Sequence, residues 1–241
     1  MATPTLWSAP PKKLTLAENE YHVWRATLQC DPAHLGNLEA SLNKEEKLRA
    51  SKFLVADARE RFVLSRSILR ELLGRYLKLD TAEITLGSGP YGKPFLDMPA
   101  AAPIQFNISH SHEYGAFVFA KRRQVGIDIE KIRPEAAGGD IAKRFFSQGE
   151  IEQLAAMPEK ERIAGFFACW TKKEAYIKAR GEGLQIPLHS FSVSIADAER
   201  QELLDGDGSC WSVYPFEPAP GFAGAVASEG KEGRLRFWEW E

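Results

Sequence analysis

Two acidic side chains alternate with branched aliphatic ones in residues 126–130, GIDIE. Because successive side chains of a β-strand point to opposite faces, Ile127 and Ile129 would face a core. Asp128 and Glu130 would share the other face, with Cα atoms about 7 Å apart. Two carboxylates held this close repel each other unless a cation lies between them, and Mg²⁺ commonly takes one or two carboxylates together with substrate phosphates. The alternative is a half-buried strand with a solvated acidic face.

A further acid lies in residues 170–178, WTKKEAYIK. On a helix, Trp170, Glu174 and Lys178 would form one stripe, because residues four apart lie on the same face. A carboxylate beside a tryptophan on a mainly apolar helix is a candidate third metal ligand or general base. The alternative is a surface pair between Glu174 and Lys178, which would contribute about 0.2–0.5 kcal/mol.

Several basic and hydroxyl side chains are candidates for binding phosphate. Lys93 follows a glycine in residues 91–94, YGKP, and residues 107–111, NISHS, contain two serines and a histidine. Serine hydroxyls, backbone N–H groups, histidine, lysine and arginine all make good phosphate contacts. Taken singly, each position is more typical of a turn or a solvated helix face. Arginines also crowd the first long helical segment, at Arg59, Arg61, Arg66 and Arg70.

Apolar periodicity predicts the elements that position these residues. Helical spacing predicts a mostly helical stretch over residues 43–78 and a second long helix over residues 163–179. Between them, Ser147-x-x-Glu150 has the form of a capping box, and the helix it opens should stop near Pro158. Strands are predicted at 104–108, 116–120, 125–130, 190–195, 211–214 and 234–240. Helices and strands do not alternate strictly, so the fold class is α+β.

Composition excludes several classes of protein. The chain has 241 residues, 44% of them hydrophobic, and a formal net charge of −2, so a globally basic nucleic-acid binder is disfavoured. Its three cysteines are far apart and form no C-x-x-C pair, which argues against a zinc site and fits a reducing cytoplasm. We expect no signal peptide and no membrane contact, since no apolar run approaches the roughly 18 residues of a membrane span.

Together, the motifs at residues 92–94, 107–111, 126–130 and 170–178 resemble the surfactin-type 4′-phosphopantetheinyl transferases. The G-x-D-x-E strand and the W-x-x-K-E-A-x-x-K helix are that family's two signatures, and both are complete here. The resemblance covers about residues 45–195. It implies an α+β fold of two similar halves related by a pseudo-twofold, with coenzyme A bound between them, in a monomeric enzyme.

The resemblance also implies a role for each half and for individual residues. Residues 1–124 would contact the nucleotide and phosphates of coenzyme A, and residues 125–241 would carry the metal site and the signature helix. The implied magnesium ligands are Asp128, Glu130 and Glu174. The implied contacts to coenzyme A are Arg61, Lys93, Ser109, His110, Lys173 and Lys178, with Arg49 and Lys52 as weaker candidates.

The implied reaction is Mg²⁺-dependent transfer of the 4′-phosphopantetheine group from coenzyme A to a serine of an apo acyl or peptidyl carrier protein, with release of adenosine 3′,5′-bisphosphate. Glu174 is the expected proton acceptor, with Glu130 as its competitor, and Lys178 would meet the charge of the leaving group. A non-catalytic coenzyme A-binding module and a magnesium-dependent phosphohydrolase remain as alternatives. Fatty-acid, polyketide and nonribosomal-peptide carriers are all open as partners.

Overall fold

The computed structural model describes residues 5–98, 104–136, 139–196, 199–204 and 208–240. The α-helices of these ranges are α1 (Pro32–Ala40), α2 (Lys44–Ala50), α3 (Ala56–Leu77), α4 (Gly139–Phe145), α5 (Gln148–Ala156) and α6 (Glu159–Arg180). The strands are β1 (Glu20–Thr27), β2 (Leu86–Ser88), β3 (Pro94–Leu96), β4 (Ile104–Ser111), β5 (Tyr114–Lys121), β6 (Val125–Lys131), β7 (Gln201–Leu204), β8 (Cys210–Phe216), β9 (Phe222–Glu229) and β10 (Arg234–Glu239). None of the described helices is long and apolar enough to cross a membrane.

The strands form two four-stranded sheets and a small hairpin. The first sheet has the order β10-β1-β5-β4, the second has the order β6-β9-β8-β7, and β2 pairs with β3. Strands β1 and β10 are parallel, and the other pairs are antiparallel. Strand β10, the last strand of the described residues, therefore joins the sheet that contains β1, the first strand. The division into halves at residues 124 and 125 stays a prediction.

Each sheet carries one long helix on its outer face. Helix α3 packs Leu64, Ile68 and Leu72 against Trp24 and Phe117 of the first sheet. These three positions are four residues apart, so they lie on one face of α3, and this is the face that packs on the sheet.

Helix α6 covers the second sheet in the same way. Its Cys169, Ala175 and Tyr176 pack in one core with Trp211 and Val213 of β8. Both covering helices have 22 residues. A third core lies between the two sheets, so the order of layers is helix, sheet, sheet, helix, and the predicted α+β class is confirmed.

The third core contains the aliphatic residues that alternate with the two strand acids. Ile127 and Ile129 of β6 are buried there against Val23 and Val118 of the first sheet. The predicted alternation of β6 is therefore confirmed, and Asp128 and Glu130 lie on the face opposite this core. Asp128 is buried rather than solvated, with an exposed fraction of 3%.

Two sequence predictions need correction. The helical stretch over residues 43–78 is broken at residues 51–55 into α2 and α3. The predicted strand over residues 190–195 is wrong, because a short 3₁₀ turn at Leu188–Ser190 is followed by chain without strand pairing. Its alternation has another cause, since the N–H groups of Val193 and Ile195 donate to the side chains of Glu150 and Gln153 on α5. The predicted capping box at the start of α5 is confirmed.

The glycine of the GIDIE motif allows α6 to lie directly on β6. A Cβ atom at Gly126 would overlap the Ala175 carbonyl oxygen and the Ala179 nitrogen of the helix backbone. No side chain can move aside to relieve this overlap, because the obstacle is backbone. Glu174 and Lys178 directly precede these two alanines in the sequence. The close approach therefore brings both side chains to the face of β6 that carries Asp128 and Glu130.

We expect Gly126→Ala to destabilise the protein by about 2–3 kcal/mol or more, since the helix and the strand must separate to admit the methyl group. Gly149→Ala is the matched control, because a Cβ at this exposed position of α5 meets nothing within 4 Å. Urea unfolding measures both variants. Equal stability of the two variants would contradict the account of this contact.

Candidate active site

The two sheets meet at an edge where side chains take the place of a backbone ladder. Strand β4 forms one edge of the first sheet, and β6 forms one edge of the second. Alternate polar residues of β4 accept hydrogen bonds from alternate backbone N–H groups of β6. The pairs are Asn107 with Ile127 at 3.0 Å, Ser109 with Ile129 at 3.3 Å, and Ser111 with Lys131 at 3.1 Å.

The two serines of this side-chain ladder also bind the acids of β6. Ser109 Oγ donates to Asp128 Oδ1 at 3.0 Å, and Ser111 Oγ donates to Glu130 Oε2 at 2.8 Å. The other oxygen of Asp128, Oδ2, is buried and has no hydrogen-bond partner among the described residues. Each carboxylate is therefore held through one of its oxygens by a neighbouring strand.

Helix α6 adds a cation and a further acid to this edge. Lys178 Nζ lies 2.6 Å from Asp128 Oδ1 and 3.1 Å from Ser109 Oγ. Burial lowers the pKa of Lys178, but attraction to Asp128 and then to Glu174 outweighs burial and leaves the pKa raised. The ammonium group therefore stays charged beside the carboxylates.

The acid on α6 is in an environment that favours its protonated form. Burial raises the pKa of Glu174 to about 7, with repulsion from Asp128 and Glu130 in the same direction and Lys178 opposing them. Burial and the charge of Asp128 also raise the pKa of Glu130, while the hydrogen bond from Ser111 opposes that change. A carboxyl group with a pKa near neutral pH is suited to take up and release a proton.

A cleft of about 460 Å³ opens beside these carboxylates. Its charged lining residues are Arg49, Arg66, Lys93, Glu174 and Lys178. Four of these five side chains are basic, so the cleft suits an anionic ligand. The predicted residues Lys93, Glu174 and Lys178 therefore share one cavity, and Lys178 contacts the predicted residues Asp128 and Ser109 beside it.

Lys93 lies in the turn between β2 and β3, at one wall of the cleft, and its side chain bonds to β6 and α6. Its Nζ atom donates to the carbonyl oxygens of Ala179 and Val125 at 2.8 and 3.1 Å and to Gln124 Oε1 at 3.2 Å. Burial lowers the pKa of Lys93 to about 8. Its position at the cleft wall is compatible with a phosphate contact, but its hydrogens are engaged within the protein.

Arg61 and His110 lie in a neighbouring pocket of about 330 Å³. Desolvation lowers the pKa of His110, and the positive charges of Lys178 and Arg61 act in the same direction. The guanidinium group of Arg61 donates to the carbonyl oxygen of His112 at 3.4 Å. These two predicted residues are therefore close to each other and to the carboxylate edge, but in a second compartment.

The other arginines of α3 have different environments, which spacing alone does not distinguish. Arg59 pairs with Glu39 near the surface, and the buried Arg70 pairs with Glu46 at 2.8 Å. Arg66 lines the cleft and is 9% exposed. The sequence grouped Arg66 with the other arginines of this helix without singling it out, and the structure places it at the cleft.

The weaker candidates also separate. Arg49 lines the cleft, and its guanidinium carbon lies 5.4 Å from the centre of the Phe62 ring. Lys52 is exposed and does not line the cleft. Of these two candidates, only Arg49 therefore contributes to the basic wall of the cleft, which Arg66, Lys93 and Lys178 also form.

Lys173 lies away from the cleft, on another face of α6. Its side chain is fully buried, and Nζ lies 2.8 Å from Glu150 Oε1. The same ammonium group donates to the carbonyl oxygens of Leu188 and Phe191 at 2.7 and 2.6 Å. Lys173 therefore fixes α6 to α5 and to the 3₁₀ turn at Leu188–Ser190. We assign it no contact with coenzyme A.

The oxygen atoms at this edge fit a hard divalent cation only in part. The unpartnered Asp128 Oδ2 is an available ligand, and carboxylate oxygens are the ligands that Mg²⁺ prefers. Among the described residues, no three His, Cys, Asp or Glu side chains form a preassembled metal cluster. The arrangement fits a cation that shares its shell with oxygens of a bound phosphate, which is how Mg²⁺ is usually held.

Comparison with known proteins agrees with this chemistry. A family model described as the 4′-phosphopantetheinyl transferase superfamily matches residues 124–227, and one described as 4′-phosphopantetheinyl transferase, N-terminal, matches residues 26–122. The 4′-phosphopantetheinyl transferase HetI of Nostoc sp. is 34% identical over 235 residues, which cover 97% of this chain and 98% of the relative. The 4′-phosphopantetheinyl transferase Sfp of Bacillus subtilis is 34% identical over 206 residues, which cover 79% and 89%.

A cation-lined cleft beside paired carboxylates is suited to bind an anionic phosphate-containing ligand together with a divalent cation. The extent of the matches makes the class specific. The chain belongs to the 4′-phosphopantetheinyl transferase superfamily, and it is a transferase.

Stability should depend on pH through Lys93. Its pKa of about 8 in the folded protein lies below the value of about 10.4 for an unfolded chain, so between these values the unfolded chain binds more protons. Stability due to this group therefore rises as pH rises from about 8 to about 10. Urea unfolding of the wild type and of Lys93→Met over this range measures the effect. If the difference in unfolding free energy between the two proteins does not change with pH, the pKa of Lys93 is not lowered in the folded protein.

The Lys173–Glu150 pair should be structural. We expect Lys173→Met to destabilise the protein by about 3–5 kcal/mol, because it leaves the buried Glu150 carboxylate without its cation. The double variant Lys173→Met/Glu150→Gln should recover part of this loss, since it removes the unpaired charge. Recovery is only partial, because the Ser147 and Val193 N–H groups donate to different oxygens of Glu150 and the amide keeps only one oxygen. Urea unfolding measures the stability of both variants. A Lys173→Met variant as stable as the wild type would show that the Lys173–Glu150 pair does not stabilise the fold.

Proposed function

We propose that this protein transfers the 4′-phosphopantetheine group of coenzyme A to a serine hydroxyl of an apo acyl or peptidyl carrier protein and releases adenosine 3′,5′-bisphosphate. The observation that carries the proposal is the position of Glu174 and Lys178 beside Asp128, at the edge of a cleft with a basic wall. Transferases that match most of this chain support the same reaction.

The basic wall would bind the anionic donor. Arg49, Arg66 and Lys93 line the cleft and offer positive charge to the phosphates of coenzyme A. Arg61 and His110 in the neighbouring pocket would contact its remaining anionic group. Because this charge is local, a chain with a net charge of −2 can still bind a polyanion.

Asp128, Glu130 and Glu174 are the carboxylates that would hold a magnesium ion together with the diphosphate of the donor. When bound, Mg²⁺ supplies charge neutralisation that makes the phosphorus easier to attack. The available oxygen Asp128 Oδ2 supports this assignment.

The transfer step is a substitution at phosphorus. The serine oxygen of the carrier forms a bond to the β-phosphorus of coenzyme A while the bond from that phosphorus to the bridging oxygen breaks. The bridging oxygen keeps the electron pair and leaves with adenosine 3′,5′-bisphosphate, whose charge Lys178 would meet. Glu174 would take the serine proton, since it lines the cleft in which the donor would bind. Glu130 is the competing acceptor, but Ser111 already donates to its carboxylate.

The test is mass spectrometry of an apo carrier protein incubated with the enzyme, coenzyme A and Mg²⁺. We expect the carrier to gain one phosphopantetheine group. Free phosphopantetheine with an unmodified carrier would select a phosphohydrolase instead. Binding of coenzyme A without any reaction would select a binding module. A panel of fatty-acid, polyketide and nonribosomal-peptide carriers would identify the partner class.

We expect Glu174→Gln to lower the transfer rate by at least about 100-fold, because the amide cannot accept the proton. The matched control is Glu159→Gln, an exposed residue at the start of the same helix, which should transfer at the wild-type rate. Initial rates with saturating coenzyme A and carrier compare the two variants. Near-normal turnover by Glu174→Gln would exclude Glu174 as the proton acceptor.

A further inference from the structure

The hydroxyl groups of the side-chain ladder have only one hydrogen each to donate. A serine hydroxyl offers one donor and two acceptor positions. Ser109 Oγ accepts from the Ile129 N–H group and from Lys178 Nζ, so its hydrogen is left for Asp128 Oδ1. The strand backbone and the helix lysine together therefore fix the direction in which this hydroxyl points.

Ser111 is in the corresponding position one step along the same strand. Its Oγ accepts from the Lys131 N–H group at 3.1 Å and donates to Glu130 Oε2 at 2.8 Å. The Nδ1 atom of His112 lies 3.3 Å from the same oxygen. Ser111 is 6% exposed, so water does not compete freely for the hydroxyl.

The third member of the ladder lacks the second contact. Asn107 Oδ1 accepts from the Ile127 N–H group, just as each serine hydroxyl accepts from a β6 N–H group. The nearest acid of β6, Asp128, is bound by Ser109 instead of by Asn107. The ladder thus contains one position that only joins the strands and two positions that also hold a carboxylate.

We propose that Ser111 is a positioning residue for the divalent-cation site, which it serves by fixing Glu130 through Oε2. The inference rests on the proposed function, because it assumes that Glu130 is a metal ligand. Ser109 holds Asp128 through Oδ1 in the same way and leaves Oδ2 without a partner. Hydrogen bonds of this kind orient ligating carboxylates and raise metal affinity.

The test measures metal affinity directly. Mn²⁺ is titrated into the protein with coenzyme A present, and free Mn²⁺ is counted by electron paramagnetic resonance. We expect Ser111→Ala to weaken Mn²⁺ binding by roughly 10-fold or more. Ser111→Thr, which keeps the hydroxyl, should bind Mn²⁺ more tightly than Ser111→Ala. In transfer assays with saturating coenzyme A, half-saturating Mg²⁺ should rise for Ser111→Ala.

Asn107→Ala is the control for loss of a strand contact without loss of a carboxylate contact. Because Asn107 also lines the cleft, all variants are titrated at saturating coenzyme A. We expect faster hydrogen exchange at the Ile127 amide and an unchanged Mn²⁺ affinity. Equal weakening of Mn²⁺ binding by Asn107→Ala and Ser111→Ala would overturn the inference, because strand packing would then explain both. Unchanged Mn²⁺ affinity in Ser111→Ala would overturn it as well.

Failure of the proposed function gives a different result. A wild-type protein that binds Mn²⁺ but modifies no carrier would contradict the transfer reaction, and the Mn²⁺ affinities of the variants would still decide the role of Ser111. A wild-type protein that binds no Mn²⁺ with coenzyme A present would overturn the inference and the metal role together.

Discussion

The side-chain ladder between β4 and β6 is the contact on which the site depends. A strand edge presents unpaired N–H groups, and leaving such groups buried without partners is costly. Here the side chains of Asn107, Ser109 and Ser111 accept hydrogen bonds from the backbone N–H groups at the free edge of β6. The two sheets are therefore joined through side chains and do not form one continuous sheet. Because hydroxyls rather than carbonyl groups make two of these bonds, hydrogens remain to hold Asp128 and Glu130. Sheet assembly and carboxylate orientation are therefore one interaction.

Sequence reasoning predicted the elements whose patterns are local. The alternation of β6 and the capping box of α5 depend on neighbours within a few residues, and both are confirmed. The predicted strand over residues 190–195 failed because its alternating burial is imposed by α5, whose Glu150 and Gln153 bind the backbone there. The chain-terminal strand β10 pairs with β1 in the first sheet, and no local pattern indicates such a distant partner.

The site was predictable where the motif itself carries the geometry. The acids of the GIDIE motif follow the strand period, as predicted, whereas the close backbone approach at Gly126 is seen only in the structure. The different fates of Lys173 and Lys178 were not predictable, because the first is captured by Glu150 and the second by Asp128. Recognising Ser111 requires the register between strands of two different sheets, which appears only in the folded chain.

A crystal structure of the protein with coenzyme A and Mg²⁺ would test the central claim most directly. The account predicts an ion about 2.0–2.1 Å from Asp128 Oδ2 and from oxygens of Glu130 and Glu174, with Ser109 and Ser111 still donating to the opposite oxygens of Asp128 and Glu130. The diphosphate should complete the ion's shell from the cleft. An ion bound elsewhere, or carboxylates that have turned away from the two serines to reach it, would contradict the account.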